Sequence, residues 1–324
     1  MLSRTADHLF WMGRYLERAE HLARLLDAHH RQSLLPRSAA TLVTNWQATL
    51  DSLSQSAAYH QVHGEVRPDA VFHFLAFDRE HPGSLVSCLQ AARENARAVR
   101  GTITAETWEA LNAAWLEART LTSGTSPEAP MREGSAFLEF VKDRAHLVHG
   151  VITATMLRDE AHAFLRLGSY LERADGTVRL LGARWSDETN TADWAVVLRS
   201  LSAFEPYRRL YREAVSRDRV TELLLLQDTM PRSVHRSLNQ VNDYLQAIAR
   251  NGRSSGPGAN AGAGNETLRR AGELHAQFHY ARYADWAPQL GAPFFTALTR
   301  RLEDLGSRIA QDFLVPMSTG VEAA

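Results

Sequence analysis

Apolar residues recur at alternating spacings of three and four along the first thirty residues of the chain. The positions are Leu9, Met12, Leu16, Ala19, Ala23 and Leu26. This spacing forms one apolar stripe along a helix, because an α-helix turns once in about 3.6 residues. No proline interrupts the pattern before Pro36, so a long amphipathic helix is predicted at the start of the chain.

The same pattern returns in the second half of the chain. Residues 12–26 read MGRYLERAEHLARLL, and residues 167–181, which lie 155 positions later, read LGSYLERADGTVRLL. A second pair of segments, 71–89 and 220–238, keeps the order and nearly the spacing. Such self-similarity indicates one supersecondary unit that occurs twice. We therefore predict an internally duplicated chain.

Helical periodicity continues through both halves, and alternating strand patterns are nearly absent. The predicted repeats are 1–156 and 157–324, each with about six helices, and the segments 123–134 and 251–265 are predicted to be mobile connections. The predicted helices are 2–31, 38–61, 67–77, 82–101, 104–122 and 133–156 in the first repeat, and 158–184, 190–214, 217–227, 231–250, 265–283 and 292–313 in the second. These patterns predict an all-α, internally duplicated helical bundle with pseudo-twofold symmetry that packs as one compact unit.

Two similar turns precede predicted helices in the two repeats. Pro82 and Pro231 are expected in the first helical turn, where a residue without an N–H is tolerated. Ser84 and Ser233 are expected either to cap these helices or to contribute to anion sites at the two helix N-termini, aided in the second repeat by Arg232.

Composition and charge exclude several classes of protein. The chain has 324 residues, 44% of them hydrophobic, which is enough to bury a large core. Lys and Arg total 36 against 37 Asp and Glu, so no basic field favours nucleic acid or an anionic membrane. No membrane-spanning segment or signal core is evident, so a soluble cytoplasmic protein is expected. The single cysteine, Cys88, excludes an internal disulfide and zinc sites built on several cysteines.

One flank of the first helix keeps its residue types in both repeats. It contains Gly13, Glu17, Glu20 and Arg24, whose counterparts are Gly168, Glu172, Asp175 and Arg179. A glycine on this flank allows another backbone to approach closely. The acids and arginines leave two alternatives open. They form a buried ion-pair network that fixes how two helices cross, or they line a central cleft that holds an amine-bearing ligand or a divalent ion, with the arginines for a carboxylate or phosphate.

Other candidate chemistry is limited. His275 and His279 have the spacing of a helical metal pair but lack the glutamate of the His-Glu-x-x-His motif, so no metal ligands are predicted. Arg93 and Arg97 belong to a polar cluster that the second repeat replaces, which marks either a functional half or a solvated face. No phosphate loop or dinucleotide fingerprint occurs, so no directly bound cofactor is predicted.

The residues 1–20, 74–78, 92–97, 106–112 and 231–233 resemble the bacterial alpha-E domain family. The resemblance covers nearly the whole chain and implies an all-helical protein. It also implies association with a circularly permuted ATP-grasp ligase and often with a transglutaminase-like protease. The acidic first-helix motif of the family corresponds here to Glu17, Arg18 and Glu20, followed by Arg24.

The resemblance implies a component of an ATP-grasp-linked system that makes or modifies a small peptide or amide, as the ligase partner or as an enzyme acting on the ligase product. ATP and Mg would then be bound by the partner ligase. In an enzyme, Glu17 and Glu20 are the predicted catalytic carboxylates. The predicted substrate-binding residues are Arg18, Arg24, Arg93, Arg97, Glu172, Arg173, Asp175 and Arg179. The alternatives are a non-catalytic helical scaffold and a carboxylate-rich helical metalloenzyme.

Overall fold

The computed structural model describes residues 1–34, 38–124, 134–185, 191–253 and 265–314. Within these ranges the chain is all-α, with fifteen α-helices and no strand. The helices are α1 (Ser3–Ser33), α2 (Ala39–Ser52), α3 (Ser56–His63), α4 (Pro68–Ala76), α5 (Leu85–Ala98), α6 (Ala105–Leu121), α7 (Ser135–Thr155), α8 (Glu160–Trp185), α9 (Thr191–Ser200), α10 (Phe204–Tyr211), α11 (Arg217–Leu226), α12 (Val234–Arg253), α13 (Asn265–His279), α14 (Tyr283–Trp286) and α15 (Ala292–Phe313). No described helix combines the length and the apolarity that crossing a lipid bilayer requires.

The two longest helices, α1 and α8, pack against each other along their lengths. Gly13 of α1 lies against the carbonyl of Leu165, and Gly168 of α8 lies against the carbonyl of Phe10. A Cβ atom at either glycine would lie 2.1 Å from that carbonyl oxygen, so only glycine permits this approach. The predicted role of these two glycines is confirmed.

The remaining helices surround this central pair. Helices α5, α7 and α9 pack on α1, and α12, α15 and α2 pack on α8. The larger hydrophobic core draws side chains from both halves of the chain, from Ala6 to Leu314. A smaller core contains residues between Ala19 and Val141. The predicted boundary between residues 156 and 157 falls in the turn between α7 and α8, and the duplication itself stays a prediction.

Each half contains a helix break that the apolar pattern does not predict. The predicted helix at 38–61 is two helices, α2 and α3, and the one at 190–214 is α9 and α10. The breaks contain Ser54 and Ser202, whose φ angles are +57° and +52°. This left-handed backbone ends a right-handed helix, and serine gives no sequence signal for it as glycine would. The first repeat therefore has seven helices rather than about six.

Helices α5 and α12 begin three residues after the prolines that were expected in their first turn. Pro82 and Pro231 lie in the preceding turns, so this expectation is wrong. The side chains of Ser84 and Ser233 each accept a hydrogen bond from the backbone N–H three residues later, at 3.2 and 3.0 Å. The predicted capping role of both serines is confirmed, and the caps determine where the helices start.

The two segments predicted to be mobile connections fall mostly outside the described residues. Positions 125–133 and 254–264 are not described, so the prediction stands untested there. Helix α12 includes residues 251–253 and α13 begins at Asn265, so the helices extend into the ends of the second segment.

Candidate functional site

Two Glu-Arg dipeptides face each other across the contact between α1 and α8. Arg173 of α8 donates hydrogen bonds to Glu17 of α1, with Nε–Oε1 and Nη2–Oε2 distances of 2.9 and 2.6 Å. Arg18 of α1 donates in the same way to Glu172 of α8, at 2.5 and 3.0 Å. Bidentate arginine–carboxylate pairs are among the strongest charge-assisted hydrogen bonds. The dipeptides therefore pair crosswise, and a polar network between the two helices is present, as one of the two alternatives predicts.

The first cluster is a buried group around two carboxylates of α1. Its members are Glu17, Glu20, Arg24, Arg173 and Arg232. Arg232, from the turn before α12, bridges both acids, with Nη1 2.8 Å from Glu17 Oε1 and Nη2 2.5 Å from Glu20 Oε1. Arg24 donates to the same oxygen of Glu20 from Nε and Nη2, at 3.0 and 2.8 Å. The side chains of Glu17 and Glu20 are 0% and 3% exposed, so three guanidiniums enclose two carboxylates away from solvent.

The arginines keep both carboxylates of the first cluster ionised. Burial raises the pKa of Glu17, but the charges of Arg173 and Arg232 outweigh burial and lower the pKa to about 2. Burial acts on Glu20 in the same way, and the charge of Arg232 holds its pKa well below the usual range. A carboxylate with such a pKa is a weak base at neutral pH. The catalytic role of Glu17 and Glu20 stays a prediction, and their surroundings favour fixed structural charges.

One group in the described part of the chain has the donor types of a metal site. Carboxylate oxygens of Glu17 and Glu20 and a ring nitrogen of His149 lie within 4.8 Å of one another. His149 Nε2 is 3.3 Å from Glu20 Oε2, and neither ring nitrogen has a hydrogen-bond partner among the described residues. However, the three guanidiniums of the first cluster exceed its two carboxylates and repel a divalent cation. The group therefore does not fit a resident metal.

The second cluster is the corresponding group around two carboxylates of α8. Its members are Glu172, Asp175, Arg14, Arg18 and Arg179. Arg14 Nε lies 2.6 Å from Glu172 Oε2, so two guanidiniums bind this carboxylate. Arg179 Nε lies 2.9 Å from both oxygens of Asp175 and also donates from Nη2 to Glu303 at 2.7 Å.

The two carboxylates of the second cluster have opposite pKa shifts. Burial raises the pKa of Glu172, but Arg14 and Arg18 outweigh burial and lower it to about 2. Burial also raises the pKa of Asp175, and the charge of Arg179 does not compensate. Among the described residues, Arg179 is the only ion-pair partner of Asp175. Asp175 is therefore the least compensated carboxylate of the two clusters.

One difference between the clusters lies in the turns that precede α5 and α12. Arg232 of Pro231-Arg232-Ser233 corresponds to Gly83 of Pro82-Gly83-Ser84. The guanidinium of Arg232 fills the first cluster, whereas Gly83 borders a cavity of about 330 Å³. All five members of the second cluster line this cavity. The second cluster is therefore accessible to a small molecule where the first is closed.

A buried histidine also lines this cavity. His21 of α1 is 8% exposed and has no hydrogen-bond partner in the described part of the chain. Its ring edge faces α8, since a Cβ atom on Gly176 would lie 3.3 Å from Nε2. Burial and the charge of Arg232 lower the pKa of His21 to about 4. The imidazole is therefore neutral at physiological pH and offers one donor and one acceptor.

Comparison with known sequences gives the family. The Alpha-E family model, described as a predicted alpha-helical domain with a conserved ER motif, matches residues 1–314. The chain belongs to the Alpha-E family. Uncharacterized proteins of Mycobacterium bovis and Mycobacterium tuberculosis are each 29% identical to it over 293 residues, which cover 83% of this chain and 32% of those proteins. The chain thus spans about a third of the length of these relatives. No solved structure matches it.

The ER motif of the Alpha-E description occurs twice in this sequence, at Glu17-Arg18 and at Glu172-Arg173. The predicted resemblance to the family is confirmed. In this Alpha-E protein each glutamate of the motif binds the arginine of the other copy. Removal of either glutamate leaves the arginine of the other copy without this partner, and removal of either arginine leaves a buried glutamate with one guanidinium fewer, which is destabilising.

Eight of the ten predicted site residues belong to the two clusters, and Arg93 and Arg97 do not. Arg93 donates to Asn112 at 3.1 Å and lies over the ring of Trp108 at 5.4 Å. Arg97 is 64% exposed and pairs with Glu94 on the same helix. Neither arginine lines the cavity, and their contacts favour the solvated-face alternative.

The remaining candidates have structural contacts. Cys88 is buried, and burial raises the pKa of its thiol to about 12, which agrees with a packed side chain. The rings of His275 and His279 stack at 5.5 Å, and within the described ranges they belong to no group of three potential metal ligands. Arg232 does not support an anion site before α12, because its guanidinium is bound to two carboxylates.

The sequence prediction did not include Arg14, His21 or the bridging role of Arg232. Arg232 lies 215 positions from Glu17, and periodicity within a helix carries no information about such contacts. One usable signal was present. The two turns align, and the change from Gly83 to Arg232 marks the point where the clusters differ.

Proposed function

We propose that this Alpha-E protein binds a small peptide-like or amide compound and works as the partner of an ATP-grasp ligase that makes or modifies this compound. The observation that carries the proposal is the cavity of about 330 Å³ beside the second cluster. Small-molecule sites usually have volumes of roughly 300–1,000 Å³, so the cavity suits a compound at the small end of this range.

The cavity wall carries charges of both signs. Arg14, Arg18 and Arg179 provide guanidiniums, and Glu172 and Asp175 provide carboxylates. A peptide-like compound has an ammonium and a carboxylate, and each finds an opposite charge in this wall. A nucleoside triphosphate needs a backbone cradle for its phosphates, and no such glycine-rich loop occurs in the sequence. We therefore assign ATP and Mg to the ligase.

The partner in this proposal is a circularly permuted ATP-grasp ligase, with a transglutaminase-like protease as a further component. The family resemblance supports this choice of partners. We place the system in the cytoplasm, with no nucleic acid or membrane as a partner.

If the protein acts on the ligase product, the second cluster is better suited to the chemistry than the first. Burial raises the pKa of Asp175, which makes its carboxylate a stronger base than those of Glu17 and Glu20, and His21 is neutral at physiological pH. Both residues line the cavity. Glu17 and Glu20, in contrast, are enclosed by the three guanidiniums of the first cluster.

We also infer that the two halves of the chain arose by duplication. Arg24 of α1 donates to the Ser202 hydroxyl, and Arg179 of α8 donates to the Ser54 hydroxyl, both at 2.6 Å. These serines are the residues at the two helix breaks. Each arginine thus reaches the break in the opposite half, which supports a pseudo-twofold arrangement about the contact between α1 and α8.

Reconstitution with the ATP-grasp ligase of the same organism tests the proposed function. We expect the protein to bind the ligase and to change its rate of ADP release or the mass of its product. Asp175→Asn is expected to weaken this effect at least about fivefold, because the carboxylate faces the bound compound. Glu94→Gln, which removes a carboxylate outside the cavity, is the matched control and is expected to behave as the unmodified protein. The partner role would be contradicted if the protein does not bind the ligase and changes neither its rate of ADP release nor the mass of its product.

A further inference from the structure

We propose that the cavity beside Gly83 binds the guanidinium or ammonium group of a small organic cation, which pairs with Asp175 in the place that Arg232 takes in the first cluster. This inference deepens the proposed function because it names the chemical group that the cavity recognises. It rests on ligand binding in the cavity but does not require the ligase.

The turns that precede α5 and α12 are equivalent. Pro82 and Pro231 occupy matching positions, and Ser84 and Ser233 cap the following helices in the same way. A side chain at position 83 would therefore leave its turn in the direction that Arg232 takes. Glycine supplies no side chain there: the side chains of His81 and Gln55 lie beside the turn, and Gly83 borders the cavity.

The second cluster lacks one contact that the first cluster has. Arg232 binds Glu17 and Glu20 together, so one guanidinium neutralises both acids of α1. Arg14 of α1 makes the corresponding contact with Glu172 of α8, at 2.6 Å. No second guanidinium reaches Asp175 among the described residues. The missing contact is thus a cationic N–H donor directed at Asp175.

The two clusters also differ in their balance of charge. The first cluster has three guanidiniums for two carboxylates. The second also has three guanidiniums, but Arg179 is shared between Asp175 and Glu303, which makes three carboxylates. With Glu303 counted, the charges around the second cluster sum to zero, whereas those of the first cluster sum to +1. A bound cation restores the same balance.

The cavity wall also contains a hydrogen-bond acceptor that no described residue uses. His21 is 8% exposed, lines the cavity and has no hydrogen-bond partner in the described ranges. A neutral imidazole keeps one ring nitrogen free to accept an N–H. Because His21 lines the cavity, a ligand there can donate to this nitrogen. His21 and Asp175 together suit a ligand group with several N–H donors.

Calorimetric titration with L-arginine and L-citrulline tests the inference, because the two compounds differ mainly in the replacement of a guanidinium by a neutral urea group. We expect saturable binding of L-arginine, and at least about tenfold weaker binding of L-citrulline. L-Lysine against L-norleucine is the parallel pair for an ammonium. Equal affinities within both pairs, or no binding of either cation, would overturn the inference.

Two variants give an independent test. Asp175→Asn is expected to lower the affinity for the cation at least about tenfold, whereas Glu94→Gln leaves it unchanged. The double variant His81→Met/Gly83→Arg copies the Met230-Pro231-Arg232 sequence of the second half. The first change is needed because a Cβ atom at Gly83 would lie 2.9 Å from His81 Nε2. We expect the folded double variant to bind no cation, and cation binding that persists in both Asp175→Asn and a folded double variant would refute the site.

The outcomes separate this inference from the proposed function. Cation binding that requires Asp175, without any effect of the protein on the ligase, would support the site and contradict the partner role. An effect on the ligase that Asp175→Asn leaves intact would support the partner role and contradict the cation site.

Discussion

Replacement of Arg232 by methionine is expected to destabilise the protein strongly. The side chain is 8% exposed and is the only guanidinium within the described ranges that binds both Glu17 and Glu20. Methionine keeps much of the length but removes the charge and the donors. Loss of one partner from a buried ion pair costs about 3–5 kcal/mol, because the remaining charge stays buried.

The pKa of Glu17 gives a second measure of this loss. The pKa falls from 4.5 to about 2 on folding, and one pKa unit corresponds to about 1.4 kcal/mol, so ionised Glu17 contributes on the order of 3 kcal/mol. Because the folded pKa lies below the unfolded value, this stabilisation is complete above pH 4.5 and declines as the pH falls toward 2. Arg173 and Arg232 share the effect. Since Arg232 also binds Glu20, we expect Arg232→Met to cost about 3 kcal/mol at pH 7.

Urea unfolding followed by tryptophan fluorescence measures this cost. Arg219→Met is the matched control, because Arg219 also pairs with two carboxylates, Glu213 and Glu222, but is 48% exposed. Exposed pairs contribute about 0–1 kcal/mol. We also expect the difference in unfolding free energy between Arg232→Met and the unmodified protein to become smaller as the pH falls from 4.5 to 3. Equal losses of unfolding free energy in Arg232→Met and Arg219→Met would refute the reasoning. A difference between Arg232→Met and the unmodified protein that does not change with pH would also refute it.

Three further predictions follow from the described contacts. Gly168→Ala is expected to lower the unfolding free energy by about 3 kcal/mol or more, since a Cβ would lie 2.1 Å from a carbonyl oxygen of α1. Gly150→Ala is the control, because a Cβ there has no described atom within 4 Å, and it is expected to change the unfolding free energy by about 1 kcal/mol or less. A similar cost for both variants would contradict the close approach of α1 and α8. Cys88 is expected to resist thiol reagents at pH 8 until the protein unfolds, because burial raises its pKa to about 12; rapid labelling of the folded protein contradicts this. Elemental analysis is expected to find no divalent metal near one equivalent, and a stoichiometric metal that His149→Ala removes would contradict the charge argument.

The polar flank of the first helix was predictable because helical spacing alone determines which residues share a face. Glu17 and Gly13 do lie on the side of α1 that meets α8, and Glu20 is bridged to Glu17 by Arg232. The same reasoning applied to the second half identified Glu172 and Gly168. Periodicity of 3.6 residues was therefore sufficient for the central contact.

Contacts between distant segments were not predictable in this way. Arg232 reaches the first cluster from a turn, and turns have no periodic pattern that indicates a direction. Ser54 and Ser202 interrupt helices without the glycine or proline that usually marks a break. Arg97 was predicted to bind substrate from its place in a polar cluster, but exposure and the contact with Glu94 were visible only in the folded chain.

A crystal structure of the protein grown with agmatine tests the central claim most directly. Agmatine carries a guanidinium and an amine and no carboxylate, so it isolates the recognition of a cation. The account predicts guanidinium density beside Gly83, with a nitrogen about 3 Å from a carboxylate oxygen of Asp175. Asp175 bound to Arg179 alone, with the cavity empty, in crystals that bind agmatine elsewhere would contradict it.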